Sequence, residues 1–128
     1  MLNRPVVAIA LGAISGSLCR YYLLKTIGHV PWNTLIVNTT GCFCLGLLVP
    51  LTMGRLDLRL TLIPGFLGSY TTFSSYELDS VKLLLARDFS QDLLYWGGSL
   101  ILGYLSLHQG FNLGNYIRNK LQKQIDDN

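Results

Sequence analysis

Hydroxyl, amide and aromatic side chains gather on a few turns of an otherwise apolar sequence. The densest group is Thr-Thr-Phe-Ser-Ser-Tyr at residues 71–76, which follows Gly65 and Gly68 in an uncharged run. Inside a bilayer an unpaired backbone N–H or C=O is costly, so chain that leaves the helix there must be buried in protein or line a site that holds water or ions. We therefore expect the backbone to open between residues 65 and 76, with the functional site beside it.

A second polar stripe precedes this group. Thr34 and Asn38 are four residues apart and Gly41 is three further on, so a helix presents a hydroxyl, an amide and a gap on one face. One interpretation is that Asn38 joins two helices by a hydrogen bond worth about 0.6 to 2 kcal/mol. In the other, its NH2 group donates to a bound or permeating anion while its carbonyl oxygen is held by a neighbouring helix.

Two further stripes repeat the same chemistry. Phe73 and Tyr76 are three residues apart and share a helix face, while Tyr95, Ser99 and Gly103 follow one another at intervals of four. The aromatic pair is typical of core packing, but it can also turn the weakly positive ring edges towards an anion. The serine stripe is likewise open to a second interpretation, in which Ser99 bonds to its own helix and the small residues allow close packing.

Few charged residues accompany these polar stripes. Arg20 lies deep in the first apolar run, where a charge must reach the interface or find partners within the protein, and both outcomes are left open. Glu77, Asp79 and Lys82 come after the predicted break, and we expect them to face water.

Four membrane-spanning helices must position these residues. The chain is 50% hydrophobic and only 13% charged, whereas a typical soluble domain has about 25% charged residues. A spanning helix needs roughly 20 mainly apolar residues. The uncharged runs predict a single all-α membrane domain over residues 1–128, with spans at about 4 to 26, 32 to 53, 59 to 86 (broken) and 92 to 117. No processing site follows the first run, so we expect that span to be retained.

The basic residues are divided between the two membrane faces. With four spans, one face has Arg4, Arg55, Arg59, Arg118, Lys120 and Lys123. The other face has Arg20, Lys25, Lys82 and Arg87. Because Lys and Arg near span ends set orientation, six residues against four predict only a slight preference for an N-terminus-in orientation and allow insertion in both orientations. The net charge of +3 is thinly spread, which predicts no nucleic-acid surface, and the C-terminal basic residues are expected to snorkel at the lipid interface or to form a specific lipid site.

Together these motifs resemble the Fluc (CrcB) family of fluoride channels. The resemblance covers nearly the whole chain and rests on motifs in order: Gly12-Ala13 with Arg20-Tyr21, Asn33-Thr34-Leu35 leading to Val37-Asn38 and Gly41, and Gly65 to Tyr76. It implies a fluoride-selective channel, not an enzyme, that lets fluoride leave the cell passively through the inner (plasma) membrane. It also implies an antiparallel, dual-topology homodimer with two pores and a structural sodium ion at its centre.

The resemblance also implies roles for individual residues. The fluoride path would be formed by Asn38, Thr34, Phe73, Tyr76, Tyr95, Ser99 and Arg20. The backbone carbonyls of Gly68 and Thr71 would bind sodium, with both subunits contributing. Tyr76 departs from the phenylalanine common at its position, and Gly103 stands where a further hydroxyl might continue the track. Neutral donors suit fluoride, since conduction requires sites weak enough for the ion to leave.

Two other functions make different demands on the sequence. A small dual-topology multidrug-type exporter coupled to protons needs a carboxylate embedded in the membrane, and the sequence predicts none that is buried. A membrane assembly protein would tolerate replacement of Asn38 and Phe73 without any loss of transport.

Overall fold

The computed structural model describes residues 3–28 and 31–126, and this part of the chain forms helices and no β-strand. We number five helices, of which α3 and α4 together make the third pass. They are α1 (Arg4–Ile27), α2 (Trp32–Leu51), α3 (residues 56–70), α4 (Phe73–Leu85) and α5 (Phe89–Asp126). The all-helical fold, with four helical segments of which the third is broken, is as predicted.

Local sequence explains where several helices begin and end. Pro5 occupies the first turn of α1, where a missing N–H costs nothing, and Gly28 ends that helix in the left-handed conformation at φ 67°. Before α5, Arg87 adopts φ 58° and turns the chain back. Asp88 then caps α5, because its Oδ1 accepts from the backbone N–H of Gln91 at 3.1 Å.

The passes alternate in direction, so α2 and α5 run parallel. Gly46 of α2 faces Leu107 of α5. Nearer the C-terminal end of α2, Leu47 and Pro50 face Gly114 of α5. A Cβ at either glycine would collide with the facing helix. Close packing of small residues, which holds helices together without a hydrophobic driving force in lipid, is therefore the main contact between these two passes.

Glycines also pack α3 against α1. A Cβ on Gly65 would lie 2.8 Å from the carbonyl oxygen of Ile9, and Gly12 and Gly16 meet the backbone of Phe66. Gly12 and Gly16 thus let α3 approach α1 closely. The chain opens within the predicted segment 65–76, but Gly65 itself is a close-approach residue within a helix.

The break in the third pass is shorter than predicted. Within α3, Leu56–Leu60 is α-helical, Thr61–Leu67 is a π-helix that contains Pro64, and the α-helical turn Gly68–Tyr70 follows. Proline has no N–H to donate, which weakens the hydrogen-bond ladder and favours this wider turn. Only residues 71 and 72 leave the helix, with ψ values of 156° and 118°.

The last helix is longer than predicted. It contains 38 residues and starts at Phe89, so at 1.5 Å per residue it extends over about 57 Å, well beyond a hydrocarbon core of roughly 30 Å. The additional residues are polar helix formers such as Lys120, Gln122 and Lys123, which favour helix without favouring lipid.

Large apolar side chains cover the outside of the helices. Residues more than half exposed include Leu11, Ile14, Leu78, Leu93, Leu100 and Ile101. Soluble monomers rarely expose contiguous apolar patches of more than a few hundred Å². Among the described residues, Arg4–Ile27 and Trp32–Leu51 are long and apolar enough to cross a membrane, with mean hydropathy of 1.5 and 1.8.

Candidate functional site

Asn38 of α2 closes the break in the third pass. Its Nδ2 donates to the carbonyl oxygen of Thr72 at 2.9 Å, and its Oδ1 accepts from the backbone N–H of Thr72 at 2.8 Å. The amide thus replaces the backbone partners that Thr72 loses where the helix stops. Both sequence interpretations keep their support, since Asn38 joins two helices and its second N–H has no hydrogen bond among the described residues.

The hydroxyl cluster after the break starts α4. The Thr72 hydroxyl accepts from the backbone N–H of Ser75 at 3.2 Å and lies 3.1 Å from the hydroxyl of Ser75, so Thr72 is the N-cap of this helix. The positive end of the α4 dipole and the negative end of the α3 dipole therefore meet at residues 71 and 72. Such a break offers N–H groups to anions and carbonyl oxygens to cations.

An open cavity of about 480 Å³ lies beside the break. It is lined by Asn38, Gly41, Cys42, Leu45, Ile63, Leu67, Gly68, Thr71, Thr72 and Phe73. Four of the predicted site residues are thus brought together on one surface. Phe73 is 72% exposed in the single chain, so the core-packing interpretation of its ring does not hold there.

Aromatic rings continue from this cavity into the protein. The ring centroids of Phe73 and Tyr76 are 5.9 Å apart, and those of Tyr76 and Tyr95 are 5.0 Å apart. Tyr76 is 8% exposed and Tyr95 is fully buried. Phe73 and Tyr76 share a face of α4 as predicted, and Tyr95 extends the series onto α5.

Two buried hydroxyls along this series have no hydrogen bond to any residue of the described ranges 3–28 and 31–126. They are the Oη of Tyr95 and the Oγ of Ser99, one helical turn apart on α5. The interpretation in which Ser99 bonds to its own helix is therefore wrong. Buried polar groups are nearly always hydrogen-bonded, so each such hydroxyl requires an explanation, for example a water or an ion that completes it.

Asp79 is a residue that sequence reasoning misplaced. It was expected to face water, but it is only 4% exposed, and its Oδ2 accepts from the Oγ1 of Thr34 at 2.6 Å. Its other oxygen accepts from Lys82 at 3.2 Å, while Lys82 itself is half-exposed. Asp79 comes three residues after Tyr76, so the helical period already placed it on the aromatic face.

The hydroxyl of Thr34, which was predicted to line the fluoride path, is bonded to Asp79 instead. Its single hydroxyl proton goes to Asp79 at 2.6 Å, so it has no proton left to donate to an anion. Thr34 is among the polar neighbours of the Tyr95 hydroxyl, which places it beside the buried series rather than at the break.

Arg20 finds a partner inside the protein. Its Nη1 donates to the carbonyl oxygen of Thr71 at 3.2 Å. The backbone of Thr71 is extended, with φ −76° and ψ 156°. Of the two outcomes left open by the sequence, this contact supports an internal role. Positively charged side chains are favoured at helix C-termini, and Thr71 follows the last turn of α3.

Neutral oxygens dominate the break itself. Gly68 loses its usual i+4 donor because the N–H of Thr72 is given to Asn38, and no other hydrogen bond to its carbonyl occurs among the described residues. Gly68 is exposed, and a Cβ there would meet only the Ile63 carbonyl oxygen, at 3.8 Å. Unwound carbonyls of this kind fit a sodium ion. The described residues contain no group of three His, Cys, Asp or Glu that would fit a transition metal.

The sequence matches the profile of a known protein family. A family profile described as "CrcB-like protein, Camphor Resistance (CrcB)" matches residues 7–111. The chain belongs to the CrcB family. The CrcB match contains every predicted site residue from Arg20 to Ser99, and it ends before the polar extension of α5.

Curated CrcB relatives carry a functional name. A Trichormus variabilis protein is 41% identical over 128 residues, which covers 89% of this chain and 93% of the relative. A Synechocystis protein is 43% identical over 127 residues, covering 92% and 95% respectively. Both are named "Fluoride-specific ion channel FluC". As a CrcB protein with an apolar outer surface, the chain is a membrane protein.

Proposed function

We propose that this chain is a fluoride-selective channel that lets fluoride leave the cell passively across the inner (plasma) membrane as a multi-pass protein. The names of its relatives support this proposal. The observation that carries it is the pair of enclosed hydroxyls, Tyr95 Oη and Ser99 Oγ, which lack partners in line with the aromatic rings. A small, strongly hydrated anion can accept hydrogen bonds from these two hydroxyls.

The fluoride path uses neutral donors beyond Arg20. Arg20 and the second N–H of Asn38 lie beside the break, and the ring edges of Phe73 and Tyr76 lead inwards to the two hydroxyls on α5. Ring edges carry weak positive charge and replace part of the hydration shell. Thr34 contributes by holding the Asp79 carboxylate in place.

Two copies in opposite orientation form the channel, and each contributes a pore. The open cavity supports this arrangement, since Gly68 and Phe73 border it and are exposed in the single chain. Room for a Cβ at Gly68 means that its own chain does not require glycine there. A glycine at position 68 would instead be needed where a second copy packs closely against it. The near balance of basic residues permits the inverted orientation of that copy.

The break also suits a structural sodium ion between the two copies. The carbonyl oxygens of Gly68 and Thr71 would hold it, with the same pair from the second copy. When bound, the ion supplies positive charge near the fluoride path without occupying it. The Gly68 carbonyl lacks its usual helical donor because Asn38 has taken the N–H of Thr72, and the Thr71 carbonyl accepts from Arg20 instead of from the helix.

One observation favours a different class of function. The buried carboxylate of Asp79 is the kind of group that a proton-coupled, multidrug-type exporter uses. Its hydrogen bond from Thr34 and its ion pair with Lys82 favour a structural role instead. A membrane assembly protein remains the other alternative, and both are separated from a channel by a transport assay.

Reconstitution tests the proposal directly. Purified protein in liposomes loaded with potassium fluoride, with sodium present, should release fluoride once valinomycin lets potassium leave with it into a potassium-free medium, and it should release no chloride above the rate of protein-free vesicles. Ion-selective electrodes measure both anions in parallel. Fluoride release no faster than from empty vesicles contradicts the proposal, and proton-driven uptake of a lipophilic cation would establish the exporter.

A further inference from the structure

Arg20 is a partly buried charge that has no acidic partner in the part of the chain that the structure describes. It is partly buried within α1, and its Nη1 donates to the carbonyl oxygen of Thr71 at 3.2 Å. Among residues 3–28 and 31–126 the only ion pair joins Lys82 to Asp79, so no carboxylate neutralises Arg20. The guanidinium is therefore stabilised by a backbone carbonyl at the end of a helix rather than by a negative side chain.

The same carbonyl belongs to the sodium site proposed above. Gly68 and Thr71 offer the oxygens that a cation would use, and the Thr71 oxygen already accepts from Arg20. A carbonyl oxygen has two lone pairs, so it can serve the guanidinium and a cation at the same time. Two positive charges on one oxygen repel each other strongly, because the interior screens them far less than water does.

Resting on that sodium site, we propose that Arg20 sets its affinity by sharing the Thr71 carbonyl oxygen with the bound cation. The guanidinium weakens cation binding, and in an antiparallel pair the equivalent arginine of the second copy adds to the effect. With the effective dielectric constant of about 20 that describes protein sites, unit charges roughly 5 Å apart change a binding constant by tenfold or more. The site then fills in response to the sodium concentration.

Sodium-dependent stability of the full-length protein measures this affinity without relying on transport. The melting temperature in detergent is recorded while sodium chloride replaces N-methylglucamine chloride at constant ionic strength, since a ligand that binds only the folded state raises it. The variants are Arg20→Gln and Arg20→Met, which remove the charge with different shapes, and Arg20→Lys, which keeps it. Lys25→Gln is the matched control, because it removes an exposed charge from the same helix.

Arg20→Gln and Arg20→Met should both lower the half-saturating sodium concentration by about tenfold or more. Arg20→Lys and Lys25→Gln should stay within about threefold of the unchanged protein. If one neutral variant does not fold, the other carries the test. Neutral variants with unchanged or weaker sodium dependence would overturn the inference.

The failure of this inference differs from that of the channel proposal. No sodium-dependent stabilisation in any variant, with fluoride release intact, overturns the sodium site and the role of Arg20 together and leaves the channel standing. Tighter sodium binding in the neutral variants without any fluoride release supports the role of Arg20 and overturns the channel.

Discussion

Asn38→Asp should slow fluoride release by at least about 100-fold. The change removes the N–H that pairs with the Thr72 carbonyl oxygen, and an unpaired buried group costs about 1 to 3 kcal/mol. It also places a carboxylate beside the proposed path, where it repels both that carbonyl and the anion. The rate is measured in the liposome assay with equal amounts of incorporated protein, and we expect the variant to remain helical but to melt at a lower temperature.

Asn119→Asp is the control for this change. It introduces the same carboxylate at an exposed position of α5, far from the break, and it should leave fluoride release within about twofold of the unchanged protein. Fluoride release by Asn38→Asp at the rate of Asn119→Asp would show that Asn38 joins helices and nothing more.

Phe73→Ile should slow fluoride release by about thirtyfold or more while it changes the stability of the single chain very little. The ring is 72% exposed, so its loss leaves no cavity in the core of the chain. Isoleucine has a similar size but no positive ring edge, so a dehydrated anion loses a partner whose loss costs on the order of 2 kcal/mol. Fluoride release and the melting temperature are measured on the same preparations.

Phe89→Ile provides the matched control, because Phe89 is 64% exposed at the start of α5 and lies outside the cavity lining. We expect normal fluoride release from this variant. If Phe73→Ile also transports fluoride normally, the ring does not contact the ion. If Phe73→Ile reduces the fraction of dimer but the dimers that form transport fluoride normally, the ring of Phe73 contributes only to the interface between the two copies.

The four helical segments were predictable because the apolar runs and the interruptions between them favour long helices. The predicted ends of α1 and α2 agree closely with the structure, since Gly28 and Trp32 are strong local signals. The extent of the break was not predictable from residue types. A glycine such as Gly65 has the same backbone flexibility whether it interrupts a helix or lets another helix pack closely. The contact of Gly65 with Ile9, which shows that it does the second, is visible only in the structure.

The site was predicted more accurately in its residues than in its contacts. Asn38 and Phe73, named from their patterns, and Gly68 and Thr71, named from the family resemblance, line one cavity, and their roles there stay predictions. The burial of Asp79 was missed because charged residues after a break were assigned to water, although helical period placed this one on the aromatic face. Its partner Thr34 lies 45 positions away in the chain, a distance over which local patterns carry no information.

The two enclosed hydroxyls of α5 give the most direct test of the proposed path, and Ser99→Ala isolates one of them. Removing an unpaired buried hydroxyl that served no ion should leave the stability unchanged or raise it, because the cost of burying that hydroxyl disappears. We predict that Ser99→Ala keeps or raises the melting temperature and yet slows fluoride release by about tenfold, as expected when a hydrogen bond to the permeating ion is lost. Release at the unchanged rate from this variant would contradict the claim that fluoride passes along the series of rings and hydroxyls.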